Sequence, residues 1–183
     1  TAAEVITPRF HQLQADDVVE KRPGDLVTVA DLEAEEVLTA ALRGAFPGAV
    51  VIGEEAVFKN PALLRGVANA DQAFLIDPID GTRNFVNGSN EHGVMLAEVR
   101  GGVTTRGWIW QPMTGHGYVV ERGAGVRLNG APIVRPKRHR PPLGATAHRR
   151  LVGFDAGGRL SPMVASRFCC AFDYPALLEA GVR

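Results

Sequence analysis

The chain has 183 residues, 45% hydrophobic and 22% charged, which suits a globular protein of one domain or one and a half with a real core. Twenty basic side chains balance twenty acidic ones, so no net field points to nucleic acid or an anionic membrane as partner, and anion recognition must be local. No apolar run approaches the roughly 18 to 20 residues of a membrane span; with no charged-then-apolar leader before Thr1 and only the adjacent Cys169 and Cys170 as cysteines, a cytoplasmic protein is expected.

Residues Ala2 to about Glu20 predict a helix, with Val5, Ile6 and Leu13 apolar and Pro8 setting a kink or a start. Lys21-Arg22-Pro23-Gly24-Asp25 is turn chemistry, and Leu26-Val27-Thr28 links it to a second helix from about Val29 to Ala45. There Leu38, Ala41, Leu42 and Ala45 share one face, and Phe46-Pro47-Gly48 ends the helix. Val50–Gly53 and Ala73–Ile76 predict short apolar strands, separated by a loop or weak helix from Ala56 to Ala70.

Beyond them the pattern becomes an antiparallel meander over 94–134. Arg100-Gly101-Gly102 turns Val94–Val99 into Val103–Trp110, Gln111 to Gly115 turns the chain into Gly117–Glu121, and Asn129-Gly130 is the strongest hairpin signal of all. Arg135 to Arg150 shifts to Arg, His and Pro, as a linker does, and one helix is predicted from about Pro162 to Ala180, bent at Pro175. The elements mix helices and strands, and the change of composition sets a boundary between residues 1–134 and 135–183.

The chemistry concentrates in Ile76-Asp77-Pro78-Ile79-Asp80-Gly81-Thr82, where an apolar strand ends in two carboxylates, a glycine and a hydroxyl. Val50-Val51-Ile52 closes in the same way on Gly53-Glu54-Glu55, so two strand ends can deliver four acids to one place. Acids so close repel unless cations lie between them, and oxygen ligands select hard cations, Mg²⁺ where phosphate is the co-ligand. Asp77 could bridge two metals, the Ile79 carbonyl and Asp80 could point back at the ions, Gly81 leaves room for phosphate, and Thr82 offers a hydroxyl to a water. The competing structural interpretation is a plain strand-to-turn exit, and solvated acids at Glu54-Glu55.

Thr28 and Asp31, three apart before a periodic helix, form a capping pair, a role compatible with catalysis by Asp31. The five histidines share no ligand spacing, and His92 is expected to cap or pack. Trp108 and Trp110 alternate on a strand, which suggests core or interface, and the Arg135–Arg150 cluster is a solvated linker rather than a nucleic-acid patch.

Lys21, Asp25-Leu26-Val27-Thr28 with Asp31, Phe46-Pro47, Gly53-Glu54-Glu55, Asp77 to Thr82 and Asn84-Phe85 together resemble the inositol monophosphatase family of Mg²⁺-dependent, lithium-sensitive phosphatases. Arg122 to Gly125 and Leu128-Asn129-Gly130 extend the likeness to the hairpin. The resemblance implies a layered α/β sandwich, an antiparallel N-terminal sheet flanked by helices. It implies two or three Mg²⁺ ions on Glu54, Asp77, the Ile79 carbonyl and Asp80. Thr82, hydrogen-bonded to Asp31, would orient the attacking water with help from Glu54, while Asp80 and the backbone of Gly81 and Thr82 would hold the substrate. Lithium inhibition and a homodimer are implied in the same way.

The expected reaction is hydrolysis of a small polyol or sugar phosphate by a metal-activated water. A 3′,5′-bisphosphonucleotide, fructose 1,6-bisphosphate or histidinol phosphate are alternative substrates, and a metal- and phosphate-binding homologue without turnover is the rival. The family's second signature, a Trp-Asp pair at a helix start, has no counterpart here, although Arg167 to Tyr174 resembles the segment before it, so the C-terminal part is expected to be incomplete.

Overall fold

Two hydrophobic layers pack on opposite faces of one central sheet in the computed structural model, which describes residues 1–134 and 141–179. The sheet has seven strands in the order β3-β4-β5-β6-β7-β8-β9: Val50–Gly53, Ala73–Asp80, Gly93–Arg100, Val103–Gln111, His116–Glu121, Gly125–Leu128 and Ala131–Pro132. Strand β3 runs parallel to β4 and every later pair is antiparallel, so the sheet is mixed at its first edge. The parallel pair follows from the helices between the two strands: a crossover returns the chain in the same direction, whereas the short turns after β5 reverse it. Asn129 and Gly130, both at positive φ, close the last hairpin as their types predict.

Helix α1 (Val29–Ala45) covers one face, where Leu38 and Leu42 pack with Val51, Phe74, Ile76, Leu96 and Trp108. The other face receives α5 (Cys170–Glu179), whose Ala171 and Phe172 meet Met95 and Ile109. Beside α5 this face remains an apolar groove of about 590 Å³ running past Leu75, Ala97, Tyr118 and Val120 to Asp77.

The N-terminal helix expected to reach Glu20 breaks up much earlier. A single π-turn spans Ala2–Ile6, Pro8 opens a 3₁₀ turn over Thr7–Arg9, and His11 takes a positive φ. Proline has no N–H to give back to the preceding turn, so the helix stops there. Val18 and Val19 then enter β1 (Val18–Arg22), which pairs with β2 (Asp25–Thr28) around Pro23-Gly24. The residues expected as a link, Leu26 to Thr28, are thus a strand.

The stretch between β3 and β4 forms α2 (Glu54–Lys59), a 3₁₀ turn at Pro61–Leu63 and α3 (Leu64–Asn69), so Glu54 and Glu55 open a helix. Strand β4 extends beyond Ile76 to Asp80, with Pro78 at the register shift where no ladder donor is needed. After it come α4 (Thr82–Val86), a short parallel pair of β10 (Ala145–Thr146) and β11 (Val164–Ala165), and then α5.

Helix α5 starts eight residues later than Pro162, because Val164–Ala165 is engaged with β10. Pro175 stays inside it and leaves the Ala171 carbonyl without its usual donor; the buried Gln111 side chain donates to that oxygen instead, at 2.7 Å. Of the expected linker, residues 135–140 lie outside the described part. No helix among the described residues is long and apolar enough to cross a membrane.

Candidate active site

Gly53 of β3 sits opposite Ile76 of β4 in parallel register, so the next residues, Glu54 at the start of α2 and Asp77 within β4, stand side by side. Asp77 Oδ1 is buried and has no hydrogen-bond partner among the described residues. Burial, reinforced by the charges of Glu54 and Asp80, pushes the Asp77 carboxyl up from 3.8 to about 8. An acid placed in this way either keeps its proton or needs a cation.

Asp31 and Thr28 form the capping box of α1, and both are buried. Asp31 Oδ2 accepts from the Thr28 backbone N–H at 2.8 Å and from its hydroxyl at 2.5 Å. The other oxygen, Oδ1, lies 3.2 Å from the Thr82 hydroxyl, which also reaches the Ile79 carbonyl at 2.9 Å. With one proton, Thr82 donates to one of these at a time and keeps its lone pairs for a further ligand. Burial raises the Asp31 carboxyl to about 6 even though Thr28 and Thr82 donate to it. Asp31 is therefore a cap and a neighbour of Thr82 at once.

Lys21 projects from β1 into the acids with only 5% of its side chain exposed. Its ammonium lies 2.8 Å from Glu55, 3.2 Å from Glu54 and 3.6 Å from Asp25. Burial alone would lower the Lys21 pKa; the hydrogen bond to Glu55 and the charge of Glu54 outweigh it, and the net shift is upward. Glu55 is in turn raised by burial and partly restored by Lys21. Behind them Glu35 of α1 accepts from the Glu55 and Ala56 N–H groups at 2.8 and 3.0 Å and so caps α2. A Cβ on Gly53 would fall 2.0 Å from the Glu35 carboxyl carbon, which explains the glycine.

Asp80 is gripped from the far end of the chain. Its Oδ2 accepts from the Ala171 N–H at 2.5 Å and from the Cys169 thiol at 2.9 Å. Burial raises the Asp80 carboxyl against these two donors, and burial followed by Asp80 raises the Cys169 thiol. Gly81 holds φ at +82°, and a Cβ there would approach Cys169 Sγ and the Glu91 carbonyl to 3.1 Å. Asn84 of α4 ties the same segments together, donating to the Glu91 and Arg167 carbonyls.

The fold thus brings Asp31, Glu54, Asp77, Ile79, Asp80, Gly81 and Thr82 to one end of the sheet. They do not stand as a finished cage: no three His, Cys, Asp or Glu among the described residues are arranged to hold a metal. Glu54 turns an oxygen to Lys21, and Asp80 turns one to α5. The set nonetheless fits a hard cation, because its donors are oxygens and the orphaned Asp77 oxygen lacks the partner that burial demands.

Sequence reasoning missed Glu35, Cys169 and Gln111. Asp31 and Glu35, four apart on one helix face, carried a usable signal. Nothing local connects Cys169 to Asp80. His92 packs as expected, enclosed by Phe10 and Phe85 with Nδ1 on the Ser89 carbonyl, and burial lowers its pKa.

A mixed sheet between helical layers, with acids at its strand ends, defines the layered α/β class of this molecule. The inositol monophosphatase family model matches residues 1–153, and the chain belongs to that family. It is 34% identical over 131 residues to the Nus factor SuhB of Pseudomonas aeruginosa, covering 71% of this chain and 46% of that one. It is 37% identical over 116 residues to the histidinol-phosphatase of Chlorobaculum parvum, covering 63% and 42%. The fold matches the inositol monophosphatase of Thermotoga maritima with a TM-score of 0.76 at 24% identity, over 96% of this chain and 67% of that one. The chain spans less than half the length of the curated relatives it matches.

Proposed function

We propose that this chain carries the cation- and phosphate-binding part of a Mg²⁺-dependent phosphomonoesterase. The observation that carries the proposal is the buried, unpartnered Asp77 carboxylate oxygen beside Glu54 and Asp80, three charges that are costly together without a cation. Glu54, Asp77, Asp80 and the Ile79 carbonyl would hold two or three Mg²⁺ ions, with lithium as inhibitor. Bound there, Mg²⁺ would neutralise phosphate charge and make an attacking water more acidic.

The chain's own groups do the positioning. Thr82, its proton directed to Asp31 or Ile79, offers lone pairs that fix a water, and Asp31 holds the hydroxyl in place. Glu54, half exposed at the start of α2, would take a proton from that water. The backbone of Gly81 and Thr82, with Asp80, would hold phosphate and substrate, and no covalent phosphoenzyme is required.

The substrate we favour is a small polyol or sugar phosphate of the inositol monophosphate kind. Relatives named for histidinol phosphate and for fructose 1,6-bisphosphate keep those esters as alternatives, with 3′,5′-bisphosphonucleotides. The protein acts as a cytoplasmic homodimer on this proposal, with 1–134 as the metal-binding unit and 135–183 as linker and partial second unit. Cys169 and Ala171 reach across that boundary to Asp80. Phosphate release with each ester, with and without Mg²⁺, tests the proposal.

A second reading has its own support. The Lys21 ammonium already sits between Glu54 and Glu55, as a permanent counter-ion does. A homologue that binds cation or phosphate without turnover would be stabilised by Mg²⁺ yet release no phosphate from any ester of the panel.

A further inference from the structure

We infer that Cys169 is a positioning residue for Asp80, a role that rests on the phosphatase reading above. The thiol is 2% exposed and points at one carboxylate oxygen, Oδ2, at 2.9 Å. The Ala171 N–H donates to the same oxygen. No hydrogen bond among the described residues goes to Oδ1, so the pair of donors fixes the carboxylate plane and leaves one oxygen for a cation or a substrate hydroxyl. A free carboxylate samples many rotations about its terminal bond, and two donors on one oxygen remove that freedom.

Three further contacts hold the thiol where it is. Asp173 accepts from the Ser166 hydroxyl and from the Arg167 N–H, bracing the turn before α5. Gln111 anchors the Ala171 carbonyl from β6. Gly81 leaves the sulfur its room, since a Cβ there would lie 3.1 Å from Sγ and from the Cys169 Cβ. The sulfur, the glycine and the carboxylate interlock, whereas Cys170 makes no such contact with Asp80.

A group that orients a metal ligand shows itself in metal affinity, typically at a cost of about 10- to 100-fold when removed. In the full chain, C169A should weaken Mg²⁺ binding measured by calorimetry, and raise the Mg²⁺ needed for half-maximal phosphate release, by about tenfold. C169S keeps a donor and should restore most of that loss, while C170S should match the wild type. The bond itself has a signature that needs no metal: in C170S, the remaining S–H stretching band should lie below that of a free thiol and move back toward it in Asp80→Ala.

Equal losses in C169S and C169A would overturn the inference by showing a packing role. So would a free-thiol band in C170S, or unchanged Mg²⁺ affinity in C169A. If the wild-type chain binds no Mg²⁺ the phosphatase reading falls, and the hydrogen bond from Cys169 to Asp80 then stands or falls on the S–H band.

Discussion

Replacing Asp77 with Asn removes a charge that the metal-free fold holds at a cost. Its carboxyl is raised from 3.8 to about 8 by burial and by Glu54 and Asp80, and each unit is worth about 1.4 kcal/mol. The ceiling on the cost of ionising Asp77 in the fold is therefore about 6 kcal/mol. Glu54 and Asp80 share it, since relieving any one of three charges relaxes the others, so about 2–3 kcal/mol is expected for the single replacement.

The sign is fixed by linkage. A carboxyl whose folded pKa is raised favours the fold fully below its unfolded pKa, near 4, and loses that contribution as pH rises to about 8. Asn does not titrate, so the advantage of D77N over the wild type should grow from pH 5 to pH 8. For a chain of this size the gain at pH 8 corresponds to a rise of roughly 4–12 °C in Tm. Thermal melts in a chelator at both pH values measure it. Adding Mg²⁺ should then stabilise the wild type and leave D77N unchanged, and D77N should release no phosphate. The reasoning fails if metal-free D77N melts below the wild type at pH 8, or if the difference between them ignores pH.

Thr82→Ala should lower kcat by about a hundredfold or more while changing KM little, because the hydroxyl serves the water; steady-state kinetics that show the reverse pattern would remove that role. Lys21→Met strands Glu55 as a buried charge and should cost about 3 kcal/mol in denaturant unfolding, with Glu55→Gln in the same chain recovering much of it. Gly53→Ala fits the backbone but drives out the Glu35 carboxylate that caps α2, a loss of about 1–2 kcal/mol. The same change in an E35A chain should cost much less, and additive losses in the four-chain cycle would exclude the clash.

What could be read in advance was whatever a few neighbouring residues decide. Thr28 and Asp31 stand three apart, and that spacing alone makes a capping box. Asn129-Gly130 closes its hairpin because both residues tolerate positive φ. The run from Asp77 to Thr82 carries its acids, its proline and its glycine in one sentence of sequence, and β4 places them together. The apolar residues before Glu20 misled because Pro8, read as a kink or a start, ends the helical stretch after one further turn. Lys21 was visible as a residue of the family pattern, but its burial among three acids depends on β1 folding back against α2. Pro175 was expected to bend its helix, and only the fold reveals that Gln111, 60 positions before Ala171, serves the Ala171 carbonyl that the proline leaves open.

The grip on Asp80 also sets an order of events during synthesis. Its thiol partner lies 89 positions later in the chain and its backbone partner 91, whereas β4, β5 and β6 are neighbours that can pair as they emerge from the ribosome. The acids therefore meet before their clasp has been made, and for that interval Asp80 is a loose carboxylate among its like. The clasp on Asp80 is deferred to the docking of α5. A nascent chain stalled before Cys169 can own every acid of the cluster and still lack the two donors that hold Asp80.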